Sequence, residues 1–316
     1  MAKFCFTPIF CALVALLVPV ARASQLNLPP EALEGMKQMY SGQPDRAQGL
    51  FRKVQADRPE HPLGYLLEAE ALWWKLYCSS LEWKFNTLDA WSHARAPEDD
   101  AYLALADKAA RLAESDIAKS DTAEMELYAG MGYLLRARLV GLRNEKSPTA
   151  HAGVEARKHL LRCLELDPNM ADAYTGLGLY NYYVDTLSAF AKVLRFFMGI
   201  PGGSKREGLR QLETAMDKGE LTPVEARFYT AKNLRNYDHE DAHAAEVAAP
   251  LLKEYPQNPI FQLLVADIAA KLGHNDEAVA GLRAAVAAPG EDPGCAARLA
   301  QVVREGLTAL ATGAKN

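Results

Sequence analysis

Residues 155–178, EARKHLLRCLELDPNMADAYTGLG, decide the fold class of this chain. Ala156 and Leu160 recur at the spacing of one helix face, where a helical repeat needs small or apolar side chains. Pro168 ends that helix, because proline lacks a backbone N–H and clashes with a continuing helix. Residues 174–178 then show the bulky-x-x-Leu-Gly spacing that opens the first helix of a new repeat. The stretch therefore predicts the end of one helical hairpin and the start of the next.

The same pattern recurs along the chain with unequal quality and predicts six hairpins. A repeat array buries its core between neighbouring hairpins and needs a terminal helix to cover its last apolar face. We therefore predict an all-α fold, a right-handed α-solenoid with a C-terminal capping helix. The predicted helical stretches are 31–59 with a turn at 41–44, 63–77 with 99–118, 124–143 with 150–166, 171–198 with 204–217, 223–236 with 241–255, 259–272 with 276–287, and the capping helix 293–310.

Residues that cap helices support these boundaries. Ser204 and Thr222 each open a capping box, in which a glutamate follows three residues later. Asn258 and Asp292 each precede a proline at the first helical position. We therefore expect helices to begin directly after these four residues.

Two stretches interrupt the repeat, residues 81–97 and residues 184–203. Neither shows the alternation of a β-strand, and we expect no strand anywhere in the chain. Insertions in repeat arrays often lie on the binding face. One repeat domain over residues 24–316, carrying these two insertions, is therefore predicted.

Residues 1–23 have the composition of a secretory signal peptide. Lys3 precedes an apolar run over residues 4–20, and Ala21-Arg22-Ala23 supplies the small-x-small cleavage pattern. The alternative is an uncleaved membrane anchor, but the run is short for a span and contains two prolines. We expect export and, in a bacterium, a periplasmic location.

The charge of the chain argues against one class of partner. The formal net charge is −5 at pH 7, and removal of residues 1–23 takes away two basic residues and no acidic one. Phosphate binding needs clustered positive charge. We therefore predict no nucleic-acid partner.

The chain has five cysteines, two of which lie in the predicted signal peptide. The other three, Cys78, Cys163 and Cys295, are far apart and odd in number. An exported scaffold held together by disulfides would show an even and dense set. We expect three small buried hydrophobic residues; the alternative is that one pair forms a disulfide.

The sharpest enzymatic pattern is HEDAH at residues 239–243. In zinc hydrolases His239 and His243 would bind the metal, Glu240 would activate water and Glu246 would be a third ligand. The pattern falls across a turn and a helix start, where acidic residues suit the helix dipole without any metal. We expect no metal, no cofactor and no catalytic residue, and keep a zinc-dependent hydrolase as the alternative function.

Aromatic and amide side chains fall where first helices would line a concave groove. Tyrosine offers a large contact area with a polar tip, and asparagine can bond a peptide backbone as donor and as acceptor. The alternative is that these side chains pack between helices. The predicted groove residues are Trp73, Trp74, Tyr182, Tyr183, Tyr229, Asn233 and Asn236.

Leu187, Phe190, Leu194 and Phe197 form an amphipathic stripe within the second insertion. Such a stripe most often docks on its own protein. A partner helix and, less favoured, a membrane surface are the alternatives, because amphipathicity fits all three.

With these residues in hand, the chain resembles exported bacterial tetratricopeptide-repeat (TPR) proteins, and it is also similar to the tetratricopeptide-39 group of eukaryotes. The resemblance covers most of residues 31–287 and implies binding of a protein or peptide in the concave groove, without catalytic residues. We therefore expect a non-enzymatic scaffold or assembly factor of the cell envelope. The stretches that carry the resemblance are AYTGLGLYNYYVDTL (173–187), VLRFFMGIPGGSKREGLRQLETA (193–215), EARFYTAKNL (225–234) and LLKEYPQNP (251–259).

Overall fold

The computed structural model describes residues 26–189, 191–192, 195, 199–287 and 292–312. The predicted signal peptide, residues 1–23, lies outside them. The helices are α1 (Pro30–Tyr40), α2 (Pro44–Asp57), α3 (Leu63–Ser79), α4 (Glu98–Ile117), α5 (Ala123–Leu142), α6 (Lys146–Leu166), α7 (Ala173–Thr186), α8 (Lys205–Lys218), α9 (Pro223–Asn233), α10 (Asp241–Glu254), α11 (Pro259–Lys271), α12 (Asn275–Ala287) and α13 (Pro293–Thr312).

Each helix packs against the next one in the chain, from α1 on α2 to α12 on α13. Small residues make this close packing possible. A Cβ on Gly178 of α7 would lie 2.8 Å from the backbone oxygen of Gly208 of α8, so the two backbones touch. The predicted all-α solenoid is confirmed. Within the described ranges no helix is both long and apolar enough to cross a membrane.

Most of the predicted caps form, and one does not. The side chain of Asn258 accepts hydrogen bonds from the backbone N–H groups of Ile260 (2.9 Å) and Phe261 (3.2 Å), and Ser204 accepts one from Glu207. Asp292 accepts one from the third residue of α13. The hydroxyl of Thr222 instead lies 2.9 Å from Asp172, so the capping box predicted there is wrong.

The helix predicted over residues 171–198 is also shorter than expected. Helix α7 ends at Thr186, because Leu187 has an extended backbone (φ −58°, ψ 147°). Helix α9 continues past Asn233 as a π-helical turn, Leu234–Asp238. The first residue after this turn, His239, adopts a left-handed conformation (φ 56°).

The two ends of the array meet, so that the solenoid closes on itself. Asn258, before α11, donates a hydrogen bond of 2.8 Å to the backbone oxygen of Tyr40 at the end of α1. The ring of Tyr40 also contacts that of Tyr255, with centroids 5.7 Å apart. Helix α13 packs on α3 as well as on α12. The predicted capping helix therefore joins α12 to α3, along a line we call the seam.

A disulfide bond joins Cys78 of α3 to Cys295 of α13 across this seam, with 5.2 Å between the Cα atoms. The expectation of three small buried hydrophobic residues is wrong for this pair and holds for Cys163, which is a buried free thiol. The two bonded cysteines are 217 residues apart. Only ring closure brings them together, and residue spacing does not reveal it.

The first insertion contains a β-hairpin, contrary to the expectation of no strand. Strand β1 (Leu81–Lys84) pairs antiparallel with β2 (Thr87–Ala90). Phe85 and Asn86 connect them with positive φ angles of 53° and 55°, as a two-residue hairpin turn of type I′ requires. Phe-Asn is not the Asn-Gly signal by which such turns are recognised in a sequence. All four β2 residues are buried, so the hairpin enters the ring.

Candidate functional site

The interior of the ring is filled, and most of the predicted groove residues help to fill it. Tyr183 and Asn236 are half-buried. The prediction of an open groove is wrong for the other five residues, because they are buried between helices. The physical reason is ring closure, which turns the concave surface of the first helices into a core. The five buried residues are Trp73, Trp74, Tyr182, Tyr229 and Asn233.

The interior nevertheless brings the predicted residues of α7 and α9 together. The hydroxyl of Tyr183 donates to the Asn233 side-chain oxygen at 2.9 Å, and that of Tyr182 donates to the Asn233 backbone oxygen at 3.2 Å. Trp73 of α3 donates its indole N–H to the Tyr229 hydroxyl at 3.0 Å. Burial raises the pKa of Tyr229 to about 12, so this hydroxyl stays a neutral acceptor.

Asp89 of the β-hairpin forms one buried carboxylate centre inside the ring. It is 1% exposed and accepts hydrogen bonds from the Tyr77 hydroxyl (2.5 Å) and the backbone N–H of Ala90 (2.7 Å). The ammonium of Lys232 lies 3.2 Å from it, and the Asn236 amide also donates to it. A buried carboxylate needs such donors, so Asp89 ties the insertion to α3 and α9.

Asp267 of α11 forms the second centre with Arg235 of the π-helical turn. Their nearest charged atoms are 2.9 Å apart, and both side chains are almost fully buried. Arg235 also donates a hydrogen bond of 2.9 Å to the backbone oxygen of Leu88, so this ion pair contacts strand β2. Burial raises the pKa of Asp267 although Arg235 opposes the shift.

Arg138 of α5 forms the third centre with two glutamates. Its guanidinium lies 2.8 Å from Glu70 of α3 and also contacts Glu225 of α9. It sits over the rings of Trp73 and Tyr229, 5.9 and 5.3 Å from their centroids, a favourable cation–π geometry. Burial raises the pKa of Glu70 despite the arginine beside it.

In these three centres each cation faces at least one carboxylate, and each pair joins different elements. Breaking such a pair by removing one partner is costly, because it leaves an uncompensated buried charge. The centres therefore hold α3, α5, α9, α11 and the β-hairpin in place. Their chemistry is that of an internal framework rather than that of an open binding groove.

One end of the ring offers exposed apolar side chains to a partner. Seven large apolar side chains are exposed within the described ranges. Four of them follow the C-terminal ends of α7, α9 and α11 or lie at the tip of the β-hairpin. We call this surface the end face and define it by Phe85 (78% exposed), Tyr237 (43%), Leu187 (40%) and Leu272 (36%).

Direct contacts link the parts of the end face. The ring of Tyr237 lies 6.2 Å from that of Tyr183, in the last turn of α7, just before Leu187. The ammonium of Lys271 donates to the backbone oxygen of Asn86 at 2.7 Å, so the end of α11 touches the hairpin tip. The other exposed apolar residues lie on different helices. They are Leu33 on α1, Leu166 on α6 and Val286 on α12.

The residues of the alternative zinc site do not converge. His239 is exposed in the turn before α10, while His243 and Glu246 are exposed on that helix. His243 instead faces Glu240 at 3.4 Å. In the described part of the chain no group of three His, Cys, Asp or Glu side chains could hold a metal ion. The geometry therefore lends the hydrolase alternative no support.

The amphipathic stripe can be followed only at its start. Leu187 is exposed on the end face. Phe190, Leu194 and Phe197 lie outside the described residues.

Sequence reasoning missed the charged residues of the interior and the hairpin tip. Glu70, Asp89, Arg138 and Lys232 look like ordinary surface charges in the sequence, because only the closed ring buries them. Phe85 stands between charged and polar neighbours in the sequence EWKFNT. One available signal was its place within an insertion, since insertions often carry the binding surface of a repeat protein.

The sequence matches no protein-family model and no curated protein. Among solved structures it is similar to TTC0263, a thermophilic TPR protein of Thermus thermophilus, with 14% identity over 88% of this chain and 97% of that one and a TM-score of 0.32. For the APC/C hetero-tetramer Cut9-Hcn1 the identity is 13%, the coverage 86% of this chain and 42% of that one, and the TM-score 0.41. For yeast Tom70 the identity is 14%, the coverage 91% of this chain and 66% of that one, and the TM-score 0.29. At these scores, no partner, substrate or site passes from those proteins to this chain.

Proposed function

We propose that this protein is a non-enzymatic scaffold of the cell envelope that binds a protein partner on its end face. One observation carries the proposal: in the described part of the chain, four of the seven large exposed apolar side chains lie at the hairpin tip or after the C-terminal ends of α7, α9 and α11, on elements that contact one another. Exposed apolar groups gathered in one place mark interaction sites more often than singly scattered ones do.

The partner that fits is a protein segment with apolar side chains. Phe85 and Tyr237 offer rigid aromatic surfaces, and aromatic residues are enriched among the strongest contacts of protein interfaces. The half-buried amide of Asn236 lies beside Tyr237, at the edge of this surface. Binding on the end face leaves the filled interior undisturbed, whereas binding in a concave groove would require the ring to open.

The location in the envelope is part of the proposal. It is supported by the signal-peptide pattern of residues 1–23 and by the disulfide between Cys78 and Cys295, since disulfides persist in oxidising compartments. We expect the exported protein to begin at Ser24. Amino-terminal sequencing of the protein from fractionated cells checks this, and an uncleaved chain in the cytoplasmic fraction would contradict it.

The binding proposal is tested by affinity capture from the cell envelope with matched variants. The end-face variant carries Phe85→Ser and Tyr237→Ser. The control variant carries Leu33→Ser and Val286→Ser, which remove the same kind of exposed apolar group elsewhere on the surface. We expect the wild type and the control to retain one common partner, and the end-face variant to lose it by at least about tenfold, because truncation of central aromatic residues costs about 2 kcal/mol or more.

Circular dichroism and thermal unfolding establish that both variants remain folded. Equal retention of the partner by the two variants would refute the end face as the binding surface. Loss in both would show a general effect of reduced surface hydrophobicity and would equally contradict the proposal.

A further inference from the structure

A small pocket lies on the seam, and none of its lining residues belongs to the end face. It is lined by residues from both ends of the array, among them Met39, Trp74, Lys75 and Pro259. Cys78 and Cys295 also line it. The disulfide that closes the ring therefore borders a surface depression instead of lying sealed in the core.

The two bonded cysteines differ in how far the whole residue is exposed. Cys78 is 1% exposed, whereas Cys295 is only partly buried near the start of α13. Thiol–disulfide exchange depends on which sulfur an incoming thiolate can reach. The greater exposure of Cys295 therefore favours attack on its sulfur atom, with Cys78 as the leaving group.

The surroundings of Cys78 select the class of reductant. After attack on Cys295, the freed Cys78 thiol remains on α3 and stays close to the mixed disulfide. The Cα atoms of Cys78 and Cys295 are 5.2 Å apart. Such a neighbour has a high effective concentration and returns the mixed disulfide to the starting bond. A monothiol adduct is therefore reversed, whereas a dithiol resolves it with its own second sulfur.

We propose that the Cys78–Cys295 disulfide is a thiol-exchange site that a dithiol reductant opens through the seam pocket. One thiolate of the reductant bonds to Cys295, the protein disulfide breaks, and Cys78 leaves as a thiolate that takes a proton from water. The second thiolate of the reductant then attacks the reductant sulfur of the mixed disulfide and releases Cys295, which is also protonated. Two electrons pass to the protein, which gains two thiols, and the reductant becomes a disulfide.

Reduction makes the seam non-covalent without removing its other contacts. The indole N–H of Trp83 still donates to the backbone oxygen of Val302 (2.8 Å), and Arg298 to that of Ser79 (3.2 Å). The reduced protein therefore stays folded, with α13 held more loosely on α3 and β1. Hydrogen exchange of the α13 amides reports this loosening.

The test uses the folded wild-type protein with dithiothreitol, followed by iodoacetamide and peptide mass spectrometry. Cys163 is an internal control, because it is fully buried and burial raises its pKa to about 12. We expect Cys78 and Cys295 to be alkylated while Cys163 stays unlabelled, at a rate proportional to the dithiothreitol concentration. Reduction that needs urea, or that proceeds only together with Cys163 labelling, would overturn the proposal.

A monothiol, 2-mercaptoethanol, tests the order of the steps. At equal thiol concentration we expect at least tenfold less reduced protein than with dithiothreitol. We also expect the adduct trapped by rapid acid quenching to lie on Cys295. An adduct chiefly on Cys78, or equal reduction by both reagents, would contradict the mechanism.

Discussion

The contacts between α7 and α8 and the contacts at the seam show two ways of building one molecule. Between α7 and α8, Gly178 and Gly208 let the backbones of two helices that follow each other in the chain touch. At the seam, Asn258 caps α11 while it also bonds Tyr40, 218 residues away. The first kind of contact repeats and is local. The second kind occurs once and depends on every hairpin between its two ends.

This difference extends to the residues used. The repeat contacts depend on small residues, which let neighbouring helices approach each other closely. The contacts that join distant parts of the ring use charges, aromatic rings and a disulfide, each specific in its geometry. A change at a small residue should therefore act through steric overlap, and a change in the ring interior through an unpaired charge.

The largest effect is expected in the interior, from Arg138→Met. The change leaves Glu70 and Glu225 buried without their cation, and we expect the free energy of unfolding to fall by about 3–5 kcal/mol. The matched control is Arg136→Met on the same helix, whose ion pair with Asp107 is about one third exposed; it should cost less than about 1 kcal/mol. Urea titrations measure both, and equal losses would contradict the interior framework.

The next largest effect is expected at the seam, from Cys78→Ser combined with Cys295→Ser. Removal of a disulfide that closes so long a loop should lower the free energy of unfolding by about 2–4 kcal/mol. Differential scanning calorimetry of this variant should match that of the wild type in excess dithiothreitol. A variant as stable as the oxidised wild type would show that the covalent bond adds nothing to the stability of the closed ring.

At a repeat contact, Gly208→Ala should cost about 1–3 kcal/mol through overpacking. The added Cβ would lie 2.6 Å from the backbone oxygen of Gly178 and 2.8 Å from the backbone nitrogen of Tyr182. The control is Gly49→Ala in α2, where a Cβ meets no other atom within 4 Å. Alanine is the better helix former by about 0.5–1 kcal/mol, so this variant should be more stable than the wild type. The same sign for both in urea titrations would refute the close-approach argument.

The smallest effect is a pH dependence removed by Glu70→Gln. Burial raises the pKa of Glu70 in the folded state above its ordinary value of 4.5. The folded state then binds the proton more tightly than the unfolded state, so this group costs stability as pH rises above about 4.5. The glutamine side chain of the variant does not titrate. As pH rises above about 4.5, the free energy of unfolding of the variant should therefore increase relative to that of the wild type, by less than about 1.5 kcal/mol. A difference that shrinks with rising pH in parallel urea titrations would reverse the sign of the inference.

Much of the fold was visible in the sequence, for a physical reason. The spacing of Ala156 and Leu160, the break at Pro168 and the caps at Asn258 and Asp292 are local features, and helices form from local hydrogen bonds. The β-hairpin was missed because its Phe85-Asn86 turn carries no recognised turn signal and because β2 is buried on every side. The end face was missed for a different reason, since exposure depends on which surfaces the neighbouring helices leave uncovered.

The sequence by itself determined the all-α class, the succession of helical hairpins and most of their boundaries, because these depend on residues within about two helical turns of each other. Only the tertiary structure decided that the array closes, which converts the expected groove of Tyr182, Tyr229 and Asn233 into a core. It also decided that Cys78 and Cys295 form a bond. Closure depends on the curvature summed over all the hairpins, and no single repeat encodes that sum.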